Sequence, residues 1–200
     1  MAPDGLTYGP RDALVVVDMQ NDFAHPDGSL FVQGGDAVVE RVNAEIGSAR
    51  DAGALVVYTQ DWHPPETPHF VTHGGTWPVH CVRDTWGAEL HAGLDVSDDA
   101  IAVRKGTGLA DGYSGFTVHD LTTDTDERTD LDPLLRDHEI ERVVVVGIAT
   151  DVCVKATVLD AVELGYDTVV LVDATAAVNL EEGDDRRAVA EMAEAGALVA

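Results

Sequence analysis

The sequence predicts an α/β fold, a three-layer α/β/α sandwich in which helices cover both faces of a central, mostly parallel sheet of about six strands. Two observations support it. Short Val-rich segments recur along the 200 residues and are nearly continuous in apolar character, as in strands that are buried on both faces. Between them, apolar residues repeat at helical spacing. A chain of this length without an evident linker is expected to form a single domain over residues 1–200.

Predicted strands and helices alternate along the chain. The strands cover residues 13–17, 54–58, 101–103, 143–146 and 169–172, with a weaker sixth at 197–199. Three helices carry apolar stripes at Val38, Val42, Ile46 and Ala49; at Val154, Val158, Ala161 and Val162; and at Ala188, Val189, Met192 and Ala195. Asp36 is predicted to cap the first helix, and the helices are predicted to end at Gly53, Gly165 and Gly196. This order is typical of right-handed βαβ units.

Two segments depart from this alternation. Residues 61–84 contain four prolines, which predicts an ordered loop rather than a helix. Residues 119–130, HDLTTDTDERTD, are polar and acidic, which predicts a surface loop or hairpin. Neither segment has the composition of a domain linker.

The charge balance excludes several classes of partner. The chain has 37 Asp and Glu against 12 Lys and Arg, and its formal net charge of −25 repels nucleic acids and anionic lipids. No apolar run reaches the roughly 18 residues of a membrane span. The first residues lack the basic start and apolar core of a signal peptide. Two cysteines cannot form a disulfide framework, so a cytoplasmic location is predicted.

The same acidic excess predicts a protein that works at high salt concentration. Repulsion between surface carboxylates extends over a Debye length of about 10 Å at 0.1 M salt and about 3 Å at 1 M. Only Lys105 and Lys155 are lysines, and acidic residues cluster in segments such as TDTDERTD and LEEGDD. The alternative is an acidic protein of an ordinary cytoplasm.

Three polar residues follow three different predicted strands. Asp18 follows the first strand and Lys105 the third, while Cys153 lies a few residues after the fourth, where a helix begins. The carboxyl ends of parallel strands lie at one edge of a sheet, where ligands bind. There, the lysine and the helix N-terminus are expected to lower the pKa of the Cys153 thiol, whereas Asp151 is expected to oppose this effect. The Asp18 carboxylate is expected to take the proton of the thiol. Each residue also has a structural interpretation: Asp18 as a turn cap, Lys105 as a surface lysine and Cys153 as a buried apolar side chain.

The proline-rich loop is predicted to hold a metal. Four of the eight histidines lie between residues 63 and 80, and Asp61 ends the preceding strand. The candidate ligands are Asp61, His63, His69 and His80, with Glu66 and His73 as alternatives. Nitrogen and carboxylate ligands suit zinc, iron or manganese. The spacing matches no compact zinc-finger pattern, and a histidine-rich loop without a metal is the structural alternative.

Together these segments resemble the motifs of nicotinamidases, a branch, with the pyrazinamidases, of the isochorismatase-like cysteine hydrolases. The shared segments, in the order seen in that family, are DMQNDF, DWHPPETPHF, WPVHCV, KGTG followed by GYSGF, and GIATDVCV. VVDMQNDF and GIATDVCV are typical of the wider superfamily, whereas the D-x-H loop with WPxHC is typical of the nicotinamidase branch. The resemblance extends over nearly the whole chain and implies an isochorismatase-like, Rossmann-like fold.

The resemblance also implies a role for each matching residue. It implies a catalytic triad of Asp18, Lys105 and Cys153, and an oxyanion hole formed by the amides of Ala149 and Cys153. It implies that the substrate is bound by the rings of Phe23, Trp77 and Tyr113. It also implies one divalent metal, zinc first, with iron or manganese as alternatives, whose ligands are Asp61, His63, His69 and His80. It implies a cis peptide bond between Ile148 and Ala149. The segment before Tyr113 is one residue longer than in some relatives, which leaves the pose of that ring open, and the 119–130 segment is poorly matched.

The implied reaction is hydrolysis of nicotinamide to nicotinate and ammonia through a Cys153 thioester, a step of NAD salvage and pyridine nucleotide biosynthesis. One alternative is another hydrolase of the superfamily, such as an N-carbamoyl amidase or an isochorismatase. Enzymes of these kinds generally do not need the metal loop. Further alternatives are a non-catalytic domain and a redox pair of Cys81 and Cys153. The oligomeric state, a homo-oligomer included, and the preference between nicotinamide and pyrazinamide are left open.

Overall fold

The computed structural model describes residues 6–120 and 123–200 and confirms the predicted three-layer sandwich. Its strands are β1 (Asp12–Val17), β2 (Leu55–Asp61), β3 (Ile101–Lys105), β4 (Ala110–Asp111), β5 (Thr117–Asp120), β6 (Thr125–Arg128), β7 (Arg142–Ile148), β8 (Asp167–Ala176) and β9 (Leu198–Val199). Six of them form one parallel sheet in the order β3-β2-β1-β7-β8-β9. Residues 1–5, part of the segment without signal-peptide features, and residues 121 and 122 of the acidic segment lie outside the described residues.

The α-helices of the described residues are α1 (Asn21–Ala24), α2 (Val39–Asp51), α3 (Leu131–Asp137), α4 (Lys155–Glu163) and α5 (Asp184–Ala195). A π-helical turn, Thr150–Val154, leads directly into α4. Helices α1 and α3 were not predicted, because four and seven residues are too few to show a helical period. The predicted cap at Asp36 is wrong. Helix α2 begins after Val38, and the N–H of Val38 bonds to the Gly34 carbonyl of the preceding turn.

Two apolar cores explain why the strands read as continuous apolar runs. Leu14 and Val16 of β1 face the core that contains Val42 of α2, whereas Val15 and its alternate neighbours face the core that contains Val158 of α4. Successive side chains of a strand point to opposite faces, so a strand between two helical layers needs apolar residues at every position. The sheet is therefore buried on both faces, as predicted.

The topology brings the chemically interesting strand ends to one edge of the sheet. Asp18 follows the last residue of β1, and Asp61 and Lys105 are the last residues of β2 and β3, paired in register. Strand β7, which pairs with β1, ends at Ile148, five residues before Cys153 in the π-helical turn. Of the predicted surface loop or hairpin, the described residues favour the hairpin, since β5 and β6 pair antiparallel in a small sheet with β4. Among the described residues, no helix is long and apolar enough to cross a membrane.

Candidate active site

Lys105 lies at the centre of the predicted triad. Its Nζ lies 3.0 Å from Asp18 Oδ2 and 3.9 Å from Cys153 Sγ. It also pairs with Asp61 Oδ1 and donates to the Gly112 carbonyl at 3.3 Å. The Lys105 side chain is only 1% exposed, so these groups replace water entirely. The structure thus brings the three residues of the predicted triad together and adds Asp61 as a second carboxylate on the same ammonium.

Asp18 is held in place by a residue that the sequence did not indicate. Thr59 Oγ1 donates to Asp18 Oδ1 at 2.7 Å and accepts the Asp18 N–H at 3.2 Å. Asp18 adopts a left-handed backbone conformation with φ = 46°, which Asp tolerates better than most side chains. Oδ2 is buried and has no hydrogen bond among the described residues, although Lys105 Nζ lies nearby. This oxygen is therefore available to a proton donor.

The buried charges make the two carboxylates unlike each other. Burial alone would raise the pKa of Asp61, but the Lys105 ammonium holds it well below its usual range. Burial raises the pKa of Asp18, and Lys105 opposes this only in part. Burial also disfavours the charged form of Lys105, but both carboxylates outweigh it and hold the pKa of Lys105 well above its usual range. Asp18 is consequently the carboxylate that more readily takes a proton.

Cys153 is a buried, free thiol beside this cluster. Burial raises the pKa of Cys153 well above its ordinary value, and the nearby carboxylates add to this effect, whereas Lys105 opposes it. The prediction of a lowered thiol pKa is therefore wrong, because desolvation outweighs the single cation. The raised pKa favours the protonated thiol, so nucleophilic attack requires an acceptor for its proton. Cys81, the other candidate for a redox pair, is also a free, buried thiol.

Asp61, His63 and His80 form a buried cluster that suits a metal ion. Their ligand atoms lie within 4.8 Å of one another, and Asp61 Oδ2 lies 3.5 Å from His63 Nε2 and 3.7 Å from His80 Nε2. The other ring nitrogens face carbonyl oxygens. His63 Nδ1 lies 3.3 Å from the Gly106 carbonyl oxygen, and His80 Nδ1 lies 2.6 Å from the Pro78 carbonyl oxygen. Such bonds place the proton on Nδ1 and leave a lone pair on each Nε2.

The orphaned nitrogen of His63 supports the same assignment. His63 is 1% exposed, yet its Nε2 has no hydrogen-bond partner among the described residues. A buried polar atom without a partner is costly and needs an explanation. A divalent ion bound by these three side chains would supply the missing partner, and the donor set of two nitrogens and one carboxylate fits zinc, iron or manganese.

His69, the fourth predicted ligand, lies outside this cluster. Its Nδ1 lies 3.4 Å from Asp111 Oδ2, and its Nε2 lies 3.0 Å from the Leu109 carbonyl oxygen. The alternative ligands Glu66 and His73 are exposed. The structure therefore brings together three of the four predicted ligands, and it places His69 against the loop that follows β3.

The segment after β1 organises the loops that carry these ligands. The side chain of Gln20 is buried, accepts the Asp61 N–H at 2.8 Å and donates to the Asp61 carbonyl at 2.7 Å. Asp22 Oδ2 accepts the N–H of Cys81, next to His80, at 2.7 Å. Sequence reasoning identified DMQNDF only as a family motif. Bonds from side chains to distant backbone have no periodic signal, so these roles were missed.

A cavity opens beside the cluster. Its lining includes every predicted substrate-binding and oxyanion residue, namely Phe23, Trp77, Tyr113, Ala149 and Cys153. Trp77 Nε1 donates to the Tyr113 hydroxyl at 3.0 Å, with the two rings nearly perpendicular at 86°. The longer segment before Tyr113 therefore still brings its ring to the cavity. The peptide bond between Ile148 and Ala149 is cis, as the resemblance implied.

Comparison with known proteins gives concordant matches over nearly the whole chain. A family model described as the isochorismatase domain matches residues 12–200. The nicotinamidase of Escherichia coli (strain K12) is 39% identical over 204 residues, covering 94% of this chain and 93% of that protein. The structure of a pyrazinamidase of Pyrococcus horikoshii in complex with zinc is 40% identical, with a TM-score of 0.85 and coverage of 96% of this chain and 99% of that chain. A structure from L. infantum in complex with nicotinate is also 40% identical, with a TM-score of 0.86 and coverage of 98% and 95%.

Proposed function

The chain belongs to the isochorismatase domain family, and from this premise we propose that it is an amidase that hydrolyses nicotinamide to nicotinate and ammonia. The observation that carries the proposal is the position of Lys105, 3.0 Å from Asp18 Oδ2 and 3.9 Å from Cys153 Sγ, at the edge of a cavity with aromatic walls. A nucleophile, a base and a cation in one buried cluster are the parts that nucleophilic catalysis requires.

In the first half of the reaction, Cys153 attacks the carboxamide carbon. Its proton passes to Asp18 Oδ2, the carboxylate oxygen without a hydrogen bond of its own. Lys105 stabilises the thiolate as it forms, because the ammonium already lies within 3.9 Å of the sulfur. Asp18 then gives the proton to the leaving nitrogen, ammonia departs, and a thioester remains on Cys153.

In the second half, water cleaves the thioester. Asp18, again a carboxylate, accepts a proton from the attacking water, and this proton returns to the sulfur as the thioester breaks. The products are the free thiol and nicotinic acid, which releases its remaining proton to solvent and leaves as nicotinate. The amides of Ala149 and Cys153 are proposed to hold the oxyanion in both halves, a contribution of about 3–4 kcal/mol per donor in comparable sites.

The aromatic residues of the cavity are proposed to orient the ring of the substrate. Phe23 of α1 and Trp77 of the proline-rich loop both line the cavity, and the hydroxyl of Tyr113 accepts a hydrogen bond from Trp77. Flat aromatic surfaces bury a pyridine ring with little conformational cost. Nicotinamide and pyrazinamide both present such a ring.

Asp61, His63 and His80 are proposed to hold one divalent ion, zinc first, with His69 as a further ligand only if its loop moves. When bound, the ion would supply a Lewis-acid contact for the pyridine nitrogen and so help to orient the ring. The pyrazinamidase of Pyrococcus horikoshii in complex with zinc supports this choice of metal. The side chains of Gln20 and Asp22 keep the ligand loops in place whatever the ion.

Wider aspects of the proposal follow from the chemistry and the charge. Release of nicotinate from nicotinamide suits NAD salvage in the cytoplasm, and we place the reaction there. With a formal net charge of −25, the protein is proposed to be halophilic. Residues 1–200 are proposed to act as a single domain, alone or in a homo-oligomer.

The test is ammonia release from nicotinamide by the purified protein, before and after removal of metal by a chelator. We expect release by the untreated protein, loss after chelation, and recovery when Zn²⁺ is added back. An N-carbamoyl amide is the matched competing substrate, because the alternative hydrolases of the superfamily generally work without a metal loop. Turnover of that substrate, unaffected by the chelator and without turnover of nicotinamide, would contradict the proposal.

A further inference from the structure

Thr59 has a buried hydroxyl whose two hydrogen bonds both go to Asp18. Thr59 lies on β2, two residues before Asp61 and so on the same face of the strand, and its side chain is fully buried. Oγ1 donates to Asp18 Oδ1 at 2.7 Å and accepts the N–H of the same residue at 3.2 Å. The hydroxyl therefore clamps Asp18 at both its backbone and its side chain.

This clamp makes the two carboxylate oxygens of Asp18 inequivalent. Oδ1 is occupied by the Thr59 hydroxyl, whereas Oδ2 lies 3.0 Å from Lys105 Nζ and has no hydrogen bond among the described residues. A carboxylate without the clamp can rotate about its χ2 angle, which has no sharp minimum, and present both oxygens to the ammonium. The orientation of the oxygen that is free to take a proton thus depends on Thr59.

We propose that Thr59 is a positioning residue for the reaction: its hydroxyl fixes the Asp18 carboxylate so that Oδ2 faces Lys105 and the Cys153 thiol. The inference rests on the proposed function, in which Oδ2 exchanges the proton of Cys153. Thr59 does not line the cavity, so it acts through Asp18 and not on the substrate. Its hydroxyl also favours the ionised form of Asp18, which partly offsets the rise in pKa caused by burial.

Two substitutions at this position separate the hydroxyl from the shape of the side chain. Thr59→Val keeps the size and branching of threonine but removes the hydroxyl, and Thr59→Ser keeps the hydroxyl. We expect Thr59→Val to lower kcat for nicotinamide by about 10- to 100-fold, since small errors in the placement of a catalytic group have effects of this size. KM is expected to change by less than about twofold, because the substrate is not contacted. Thr59→Ser is expected to recover kcat to within about threefold of the wild type.

The opposite pattern would overturn the inference. It fails if Thr59→Val keeps more than about half of the wild-type kcat, or if Thr59→Ser loses as much as Thr59→Val. A double-mutant cycle adds a second condition. In an Asp18→Asn background, Thr59→Val should change the residual rate by less than about twofold, because the two residues act as one unit. A full further loss would show that Thr59 acts elsewhere.

Crystal structures of the two variants test the inference without any substrate. In Thr59→Ser the hydroxyl should remain hydrogen-bonded to Asp18 Oδ1. In Thr59→Val the Asp18 carboxylate should rotate about χ2 so that both of its oxygens face the Lys105 ammonium. An Asp18 carboxylate that keeps its orientation beside valine would overturn the inference. If the wild type releases no ammonia from nicotinamide, the proposed function fails, and these two structures still decide the role of Thr59.

Discussion

Asp18→Asn removes the proposed proton acceptor with almost no change in shape. The amide keeps an oxygen for the Thr59 hydroxyl, and Lys105 keeps Asp61 and the Gly112 carbonyl as partners. An amide cannot accept the thiol proton at neutral pH, and the raised pKa of Cys153 makes that transfer necessary. Positioned acid–base groups contribute about 10²- to 10⁴-fold, so we expect kcat to fall by that factor, or about 2.7–5.4 kcal/mol of transition-state free energy.

The same substitution should not destabilise the fold. Asp18, Asp61 and Lys105 carry two negative charges and one positive charge in a buried cluster, and asparagine leaves one of each. Because burial raises the pKa of Asp18, its ionisation costs stability, and this cost appears as the pH rises through the folded-state pKa. At neutral pH the variant lacks that cost, and we expect its Tm to lie within about 5 °C of the wild-type value or above it.

The assay is ammonia release at saturating nicotinamide, with Tm measured on the same preparations. Asp160→Asn is a matched control, because Asp160 lies on α4 away from the cavity and accepts a hydrogen bond from Thr117 of β5, which asparagine can still accept. This control should stay within about twofold of the wild type. A folded Asp18→Asn protein whose kcat is within about tenfold of the wild type would refute the assignment of Asp18 as the proton acceptor.

Four further results are expected. Cys153→Ala should retain less than about 1% of the activity, whereas Cys81→Ala should remain active; more residual turnover in the former would remove its role as nucleophile. The purified protein should hold about one metal ion per chain by elemental analysis, and His63→Ala or His80→Ala should lose it; an active preparation without a transition metal argues against the site. Lys105→Arg should have a severely lowered kcat, because a planar guanidinium cannot replace a compact ammonium between two carboxylates. Near-normal turnover of this variant would show that Lys105 contributes only its long-range charge. The Tm should rise between about 0.1 M and 2 M KCl, since salt screens carboxylate repulsion; a flat or falling curve would end the halophilic interpretation.

The layered fold could be predicted because its cause, a run of apolar residues in each buried strand, is repeated along the chain. In β1, Leu14 and Val15 both had to be apolar, since they face different cores across the sheet. The strand ends then follow from connectivity, because every strand of a parallel sheet ends at the same edge. For this reason the sequence alone indicates Asp18, Lys105 and Cys153 as candidates.

Where a feature is short or lacks a repeat, the sequence was a poor guide. Helix α1 has four residues, and the start of α2 is set by a backbone hydrogen bond between Val38 and Gly34 and not by the side chain of Asp36. Both depend on bonds within a turn, which many sequences can form. The family resemblance supplied the cis peptide bond before Ala149, which no local pattern indicates.

By itself, then, the sequence determined the sheet, the edge at which chemistry takes place and the residue types found there. Only the tertiary structure decided how these groups are charged and oriented: that Thr59 holds Asp18, that three ligands gather while His69 lies apart, and that burial raises the pKa of the Cys153 thiol. The physical reason is range. Hydrophobic periodicity is a property of neighbouring residues, whereas desolvation and charge–charge interaction depend on every group packed within a few ångströms, whatever its position in the chain.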